Sequence, residues 1–205
     1  MMTEGLQAAT VLLAVYGLRT WRQQLVGKRR FEVAEQAVLA ANRVKEGLAS
    51  IRTDASMSGE ADDRKPGDGE TSQQRRMLDR YFIPLKRSQD ANEHFAELAK
   101  CRLLCATHFG PQTKAPFEKL FAARNRVIAG AQTLTGLVMQ VGHPDNDPQQ
   151  HFPSLHKMVW GLGDANDADA VAIQEAVTEI ENFCRPHLSP PDDLAWLKAL
   201  WHRLD

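Results

Sequence analysis

Apolar residues in this chain recur at alternating steps of three and four, the period of a helix with one buried face. Ala34, Ala37, Ala41, Val44, Leu48 and Ile51 form a narrow seam, with Glu32, Glu35, Arg43, Lys45, Glu46 and Arg52 on the other faces. Upstream, Gly5 to Leu18 carries no charge, and Val11 to Tyr16 leaves no polar side. No proline or turn cluster separates the two stretches, so residues 6–52 are predicted as one helix of about 70 Å. Asp54 to Ser72, with Gly59, Pro66, Gly67, Gly69 and several acids, reads as a disordered linker or long loop.

Met77, Leu78, Tyr81, Phe82 and Leu85, then Phe95, Leu98, Leu103 and Phe109, predict a second helical region over 73–109, kinked or split at Pro84. Gly110-Pro111 ends it. Phe117, Leu120, Val127, Ala131, Leu134 and Val138 mark the strongest amphipathic helix, over 116–141. Phe152, Leu155, Val159 and Trp160 predict a short one, and Ala170, Ile173, Val177, Ile180 and Cys184 another that Arg185-Pro186 closes. Ser189-Pro190-Pro191-Asp192 signals a last start, with Leu194, Leu197, Trp201 and Leu204 as its apolar face. No stretch alternates with period two. The expected class is all-α, an N-terminal helix continuing into an up-and-down antiparallel bundle of about four to five helices. It divides into a hydrophobic segment over 1–22, a bundle over 23–187 containing the disordered loop 54–72, and an amphipathic tail over 188–205.

The uncharged run sets the expected location. Fourteen helical residues reach about 21 Å, short of the roughly 30 Å hydrocarbon core of a bilayer. Flanking residues and local thinning can close that gap. Nothing before Leu18 is basic, whereas Arg19, Arg22, Lys28, Arg29 and Arg30 follow it with no acid until Glu32. That is the positive-inside pattern, with Tyr16 and Trp21 at headgroup level and later residues in the cytoplasm. Membrane lipid is thus an expected partner of residues 5–21, and the basic cluster adds attraction to anionic lipid of about 1 kcal/mol per charge. The alternatives are a first core helix of a cytoplasmic bundle and a helix lying flat on the membrane.

The composition of 205 residues is that of an ordinary globular protein, with 25% charged and 43% hydrophobic residues. Lys and Arg, 25 in all, nearly cancel 26 Asp and Glu, which argues against a dedicated nucleic-acid binder. Three cysteines, Cys101, Cys105 and Cys184, fit a reducing compartment better than a disulfide framework.

One cluster invites a metal. His94, Cys101, Cys105 and His108 fall on one helix face, but the two histidines lie about 21 Å apart along the axis. One ion could take only Cys101 with Cys105, or Cys105 with His108, and would need His151, His156, Cys184 or His187 from elsewhere. The competing reading makes the cysteines small hydrophobes in a seam. Di-iron Glu-x-x-His pairs, the zinc-protease motif, a phosphate-binding loop and Gly-x-Ser-x-Gly are missing from the sequence. The aspartates around Asp167 lack the residues of a calcium loop, Ala168 standing where a ligand belongs, and suit a helix start instead.

Trp21-Arg22-Gln23-Gln24-Leu25-Val26-Gly27-Lys28, then Phe31 to Ala34, Arg43, Leu48 to Arg52, Tyr81 to Leu85 and Cys184-Arg185-Pro186 together resemble a family of uncharacterised bacterial proteins. Its members have an N-terminal hydrophobic helix, the same Trp-Arg junction and a cytoplasmic helical domain, without an assigned activity. The similarity covers roughly residues 10–187; the apolar run is short for the family and the tail from Leu188 is an addition. The resemblance implies a bacterial inner-membrane, single-pass location with a cytoplasmic C-terminal domain. The expected function is a membrane-anchored helical interaction or scaffolding protein, non-catalytic and without a cofactor, meeting a protein partner or a second copy through helical seams. The alternative is a metal-binding bundle, sensor or enzyme, using Cys101, Cys105 and His108.

Overall fold

A computed structural model describes residues 2–141, 152–161 and 167–188, with side chains described from Val15 to Met139 in the first stretch. Six α-helices are seen among them, and no strand. They are α1 (Met2–Ile51), α2 (Ser72–Asp90), α3 (Asn92–Phe109), α4 (Lys114–Val141), α5 (Pro153–Trp160) and α6 (Ala168–Leu188).

The helices stand in four antiparallel columns. Asn42 bonds Glu181 at 3.2 Å, Lys45 bonds Gln174 at 3.2 Å and Arg52 meets Asp167, so α6 runs against α1. Lys119 meets Glu179 and Arg126 meets Asp169, so α4 runs against α6 and with α1. The Arg102–Glu118 pair and the Phe95–Phe121 ring contact set α3 against α4. The second column is α2 followed by α3; the fourth is α5 followed by α6. Both are broken at the level where α1 ends. This is the expected up-and-down topology, with two of the columns interrupted.

The α1 seam is the spine of the core. Val33, Ala34, Ala37, Ala41, Val44, Leu48 and Ile51 are all buried, against Leu98, Cys101, Cys105, Leu120, Val177, Ile180 and Cys184. Its alanines let neighbouring helices approach closely, and each large side chain buried there contributes about 1.5–3 kcal/mol. Beyond the end of α1, Leu78, Tyr81, Leu134, Val159 and Trp160 extend the core, with Tyr81 and Trp160 rings 5.4 Å apart.

Several boundaries differ from the pattern in the sequence. Pro84 lies buried inside α2, and the break comes at Ala91, which has neither proline nor glycine to announce it. Arg124 on α4 explains the break: its Nε donates to Ser88 Oγ at 2.9 Å and its Nη2 to the Ser88 carbonyl at 2.8 Å. That carbonyl is one of the orphan acceptors a helix end leaves, so a partner from another helix stabilises the interruption. Arg124 also bonds Asn92 and lies 4.4 Å over the Phe95 ring. The last described helix likewise passes through Pro186 to Leu188. At the α3–α4 turn Gly110 has φ +107°, a conformation glycine alone adopts without strain.

The residues between α1 and α2 form a long loop that ion pairs tie to the bundle. Arg87 caps the end of α1, donating to the carbonyls of Ser50 at 2.8 Å, Thr53 at 2.7 Å and Ala55 at 2.7 Å, and pairs with Glu60 at 2.5 Å. Arg80 meets Asp54, Lys86 meets Asp63, and Arg64 bridges Glu70 and Asp79. A Thr71–Gln74 capping box then opens α2. The predicted tail helix over 188–205 lies, beyond Leu188, outside the described residues.

The seam orientation is testable. Leu48→Ala is expected to lower stability by about 2–5 kcal/mol, and exposed Leu39→Ala by no more than about 0.5 kcal/mol, in urea denaturation followed by circular dichroism.

Candidate functional site

The helix that builds the core also leaves it. Before Val33, α1 continues away from the bundle, and from Val15 to Phe31 nearly every side chain faces solvent. Tyr16 is 71% exposed and Trp21 57%, with Val15, Leu18, Leu25 and Val26 also open. All the expected membrane-interface residues stand on this projecting rod: Tyr16, Arg19, Trp21, Arg22, Lys28, Arg29 and Arg30 are exposed. Among the described residues the one ion pair these cations make is Arg29–Glu32 at 3.3 Å. At its base, His187 stacks on Phe109 with ring centroids 4.3 Å apart. Burial, with a smaller push from Arg30, lowers the His187 pKa.

The single-pass expectation needs correcting here. No helix among the described residues is long and apolar enough to cross a membrane. The backbone of the uncharged run belongs to α1, but its side chains before Val15 lie outside the described residues. What the structure supplies is a projecting helix, without a demonstrated span.

The metal candidates lie on α3 in different surroundings. Cys101 and Cys105 are buried in the core, where Cys105 hydrogen-bonds Cys184 on α6, while His108 is partly exposed and His94 exposed. Among the described residues no group of three His, Cys, Asp or Glu side chains could hold an ion. Burial pushes the Cys101 thiol up to about 11. The hydrogen bond with Cys184, then burial, raises Cys105 further still. His156 lies against the Trp160 ring at 4.6 Å, and His151 lies outside the described residues.

A buried ion pair that sequence reasoning missed sits at the level of the column breaks. Arg52, 1% exposed, donates from Nη2 to Asp167 Oδ1 at 3.0 Å, and its Nη1 lies 2.7 Å from Oδ2. Asp167 Oδ1 also accepts the Asp169 backbone N–H at 3.1 Å, so one carboxylate starts α6 and holds the end of α1. A Cβ on Gly161 would stand 2.5 Å from the Lys157 carbonyl and 2.7 Å from Arg52 Nη2, so only glycine fits. Arg52 stands four residues after Leu48, on the seam itself rather than on a polar face. That spacing was the available signal.

A concavity of about 460 Å³ lies between α1 and the α2–α3 junction, with Glu60 of the loop at its edge. Arg43, Arg87 and His94 face Glu46, Glu60 and Asp90 there, and Arg87 is already committed to three carbonyls and Glu60. Its lining carries charges of both signs. Comparison with protein-family models, curated proteins and solved structures finds no match to the chain.

The loop ion pairs carry a pH prediction. Hydrogen bonds from Arg64, and then from the Gly67 backbone, lower the Glu70 carboxyl to about 2. Its contribution to holding the loop is therefore present above the ordinary value of 4.5 and lost as pH falls through about 2. In an NMR titration Glu70 is expected to have its midpoint near 2, and Arg64→Ala to return it toward 4.5.

Proposed function

We propose that this protein is a non-catalytic interaction or scaffolding bundle attached to a membrane by the projecting part of α1. The observation that carries the reading is the continuity of one helix from Ile51, through the core seam, to Met2. Some thirty residues of it lie beyond Val33, about 45 Å of helix. A helix of that length, with Val15, Leu18, Trp21, Leu25 and Val26 open to solvent, is unstable alone in water and calls for a partner. The uncharged run at its far end and the basic cluster after it suit a bilayer. The same order of charge favours a bundle on the cytoplasmic side. The bundle itself offers helix faces to a protein partner or a second copy.

Fractionation of cells producing the full chain tests this. Recovery with the membrane pellet at ordinary salt, with release by detergent, is the expected result. Recovery in the supernatant would overturn the attachment.

A further inference from the structure

We infer that the projecting helix recognises anionic lipid headgroups and that the charge of the remaining chain keeps the bundle off the bilayer surface. The inference rests on the membrane attachment proposed above and adds the lipid class. Between Val15 and Phe31 stand Arg19, Arg22, Lys28, Arg29 and Arg30 and no carboxylate, which leaves 20 cations against 26 acids, a net −6, in the rest of the chain. Charge is thus separated along the molecule, although the whole is nearly neutral.

The pairing pattern sharpens that separation. In the bundle Arg43, Arg52, Arg64, Arg80, Arg87, Lys119 and Arg126 each meet a carboxylate. On the rod, Arg19, Arg22, Lys28 and Arg30 are exposed, and no carboxylate among the described residues pairs with them. Unneutralised positive charge therefore collects on the part of the chain that leaves the core.

Apolar residues decide what kind of polyanion fits. At 100° per residue the five cations share an arc of about 200° with Val15, Leu18, Trp21, Leu25 and Val26, while Gly17, Thr20, Gln23, Gln24 and Gly27, with Tyr16 and Phe31, take the other side. In a bilayer interface those apolar side chains reach below the headgroups, arginine stems snorkel up to phosphate, and tryptophan sits at the boundary. A nucleic-acid backbone offers such aliphatic residues nothing to contact. A second copy of the rod brings like charges together. Outward-facing Glu35 and Glu46, just inside the bundle, are repelled by the same surface, so contact ends near Arg30.

The test is co-sedimentation of the full chain with vesicles of phosphatidylcholine alone and of equal parts phosphatidylcholine and phosphatidylglycerol. Each is run at about 0.1 M and about 1 M salt, where the Debye length is about 10 Å and about 3 Å. Partitioning is expected to be at least about tenfold stronger on the anionic vesicles at low salt, and that preference to shrink at high salt. Replacing Arg19, Arg22 and Arg30 together with Gln should remove most of the preference without altering helicity or thermal unfolding. Equal partitioning into both vesicles at both salts would overturn the inference and leave an apolar attachment standing. A preference that survives the triple substitution would also overturn it, by placing headgroup contact elsewhere. Binding to neither vesicle, with or without a dimer in light scattering, would overturn both the inference and the attachment.

Discussion

A guanidinium and a carboxylate, both withdrawn from water, meet where α1 ends and α6 begins. Arg52 is 1% exposed and the Asp167 side chain 4%, so each depends on the other. Moving two ions from water into a protein interior costs several kcal/mol per ion, and their attraction offsets this only in good geometry. Here the geometry is incomplete: Arg52 Nε is buried with no hydrogen-bond partner among the described residues. The pair is therefore better understood as a constraint on register than as a large net source of stability. Asp167 has one place to go, and taking it sets the start of the fourth column, the close approach of Gly161 and the height at which the second column must turn.

That constraint has a consequence for the part of the chain outside the core. Once Arg52 is held, the alanine seam of α1 is in register with α3 and α6, and the helix leaves the bundle in a defined direction at Val33. The projecting rod is thus an extension of the helix that carries the alanine seam of the core. A basic, apolar segment mounted on such a helix can present its side chains at a set distance from the bundle; on a loose linker it could not. The separation of charge between rod and bundle acts in the same sense.

Helix class and seam were legible because they depend on local period. Ala34 to Ile51, Phe117 to Val138 and Ile173 to Cys184 bury the faces their spacing predicts. What periodicity could not show were effects imposed by another helix. Pro84 looks like a break, yet α2 continues through it with Ile83 and Pro84 packed in the interior. Ala91 looks innocuous and is the break, because Arg124 arrives from α4 to take the freed carbonyl. The 54–72 loop has the composition of a linker, and the arginines that tie it down belong largely to α2. Arg52 differs from its expected face for another reason: a charged residue on a buried seam is rare, and its residue type points to solvent while its spacing points to the core. The candidate site was legible as a charge pattern at Arg19 to Arg30, whereas its projection beyond the core required the structure.

A double-mutant cycle on the Arg52–Asp167 pair tests this account most directly. Arg52→Met and Asp167→Leu are each expected to destabilise the fold by about 3–5 kcal/mol, since each strands a buried charge, and the double variant by clearly less than the sum. Singles costing under about 1 kcal/mol each, or costs that simply add, would show that the pair does not set the register of the bundle.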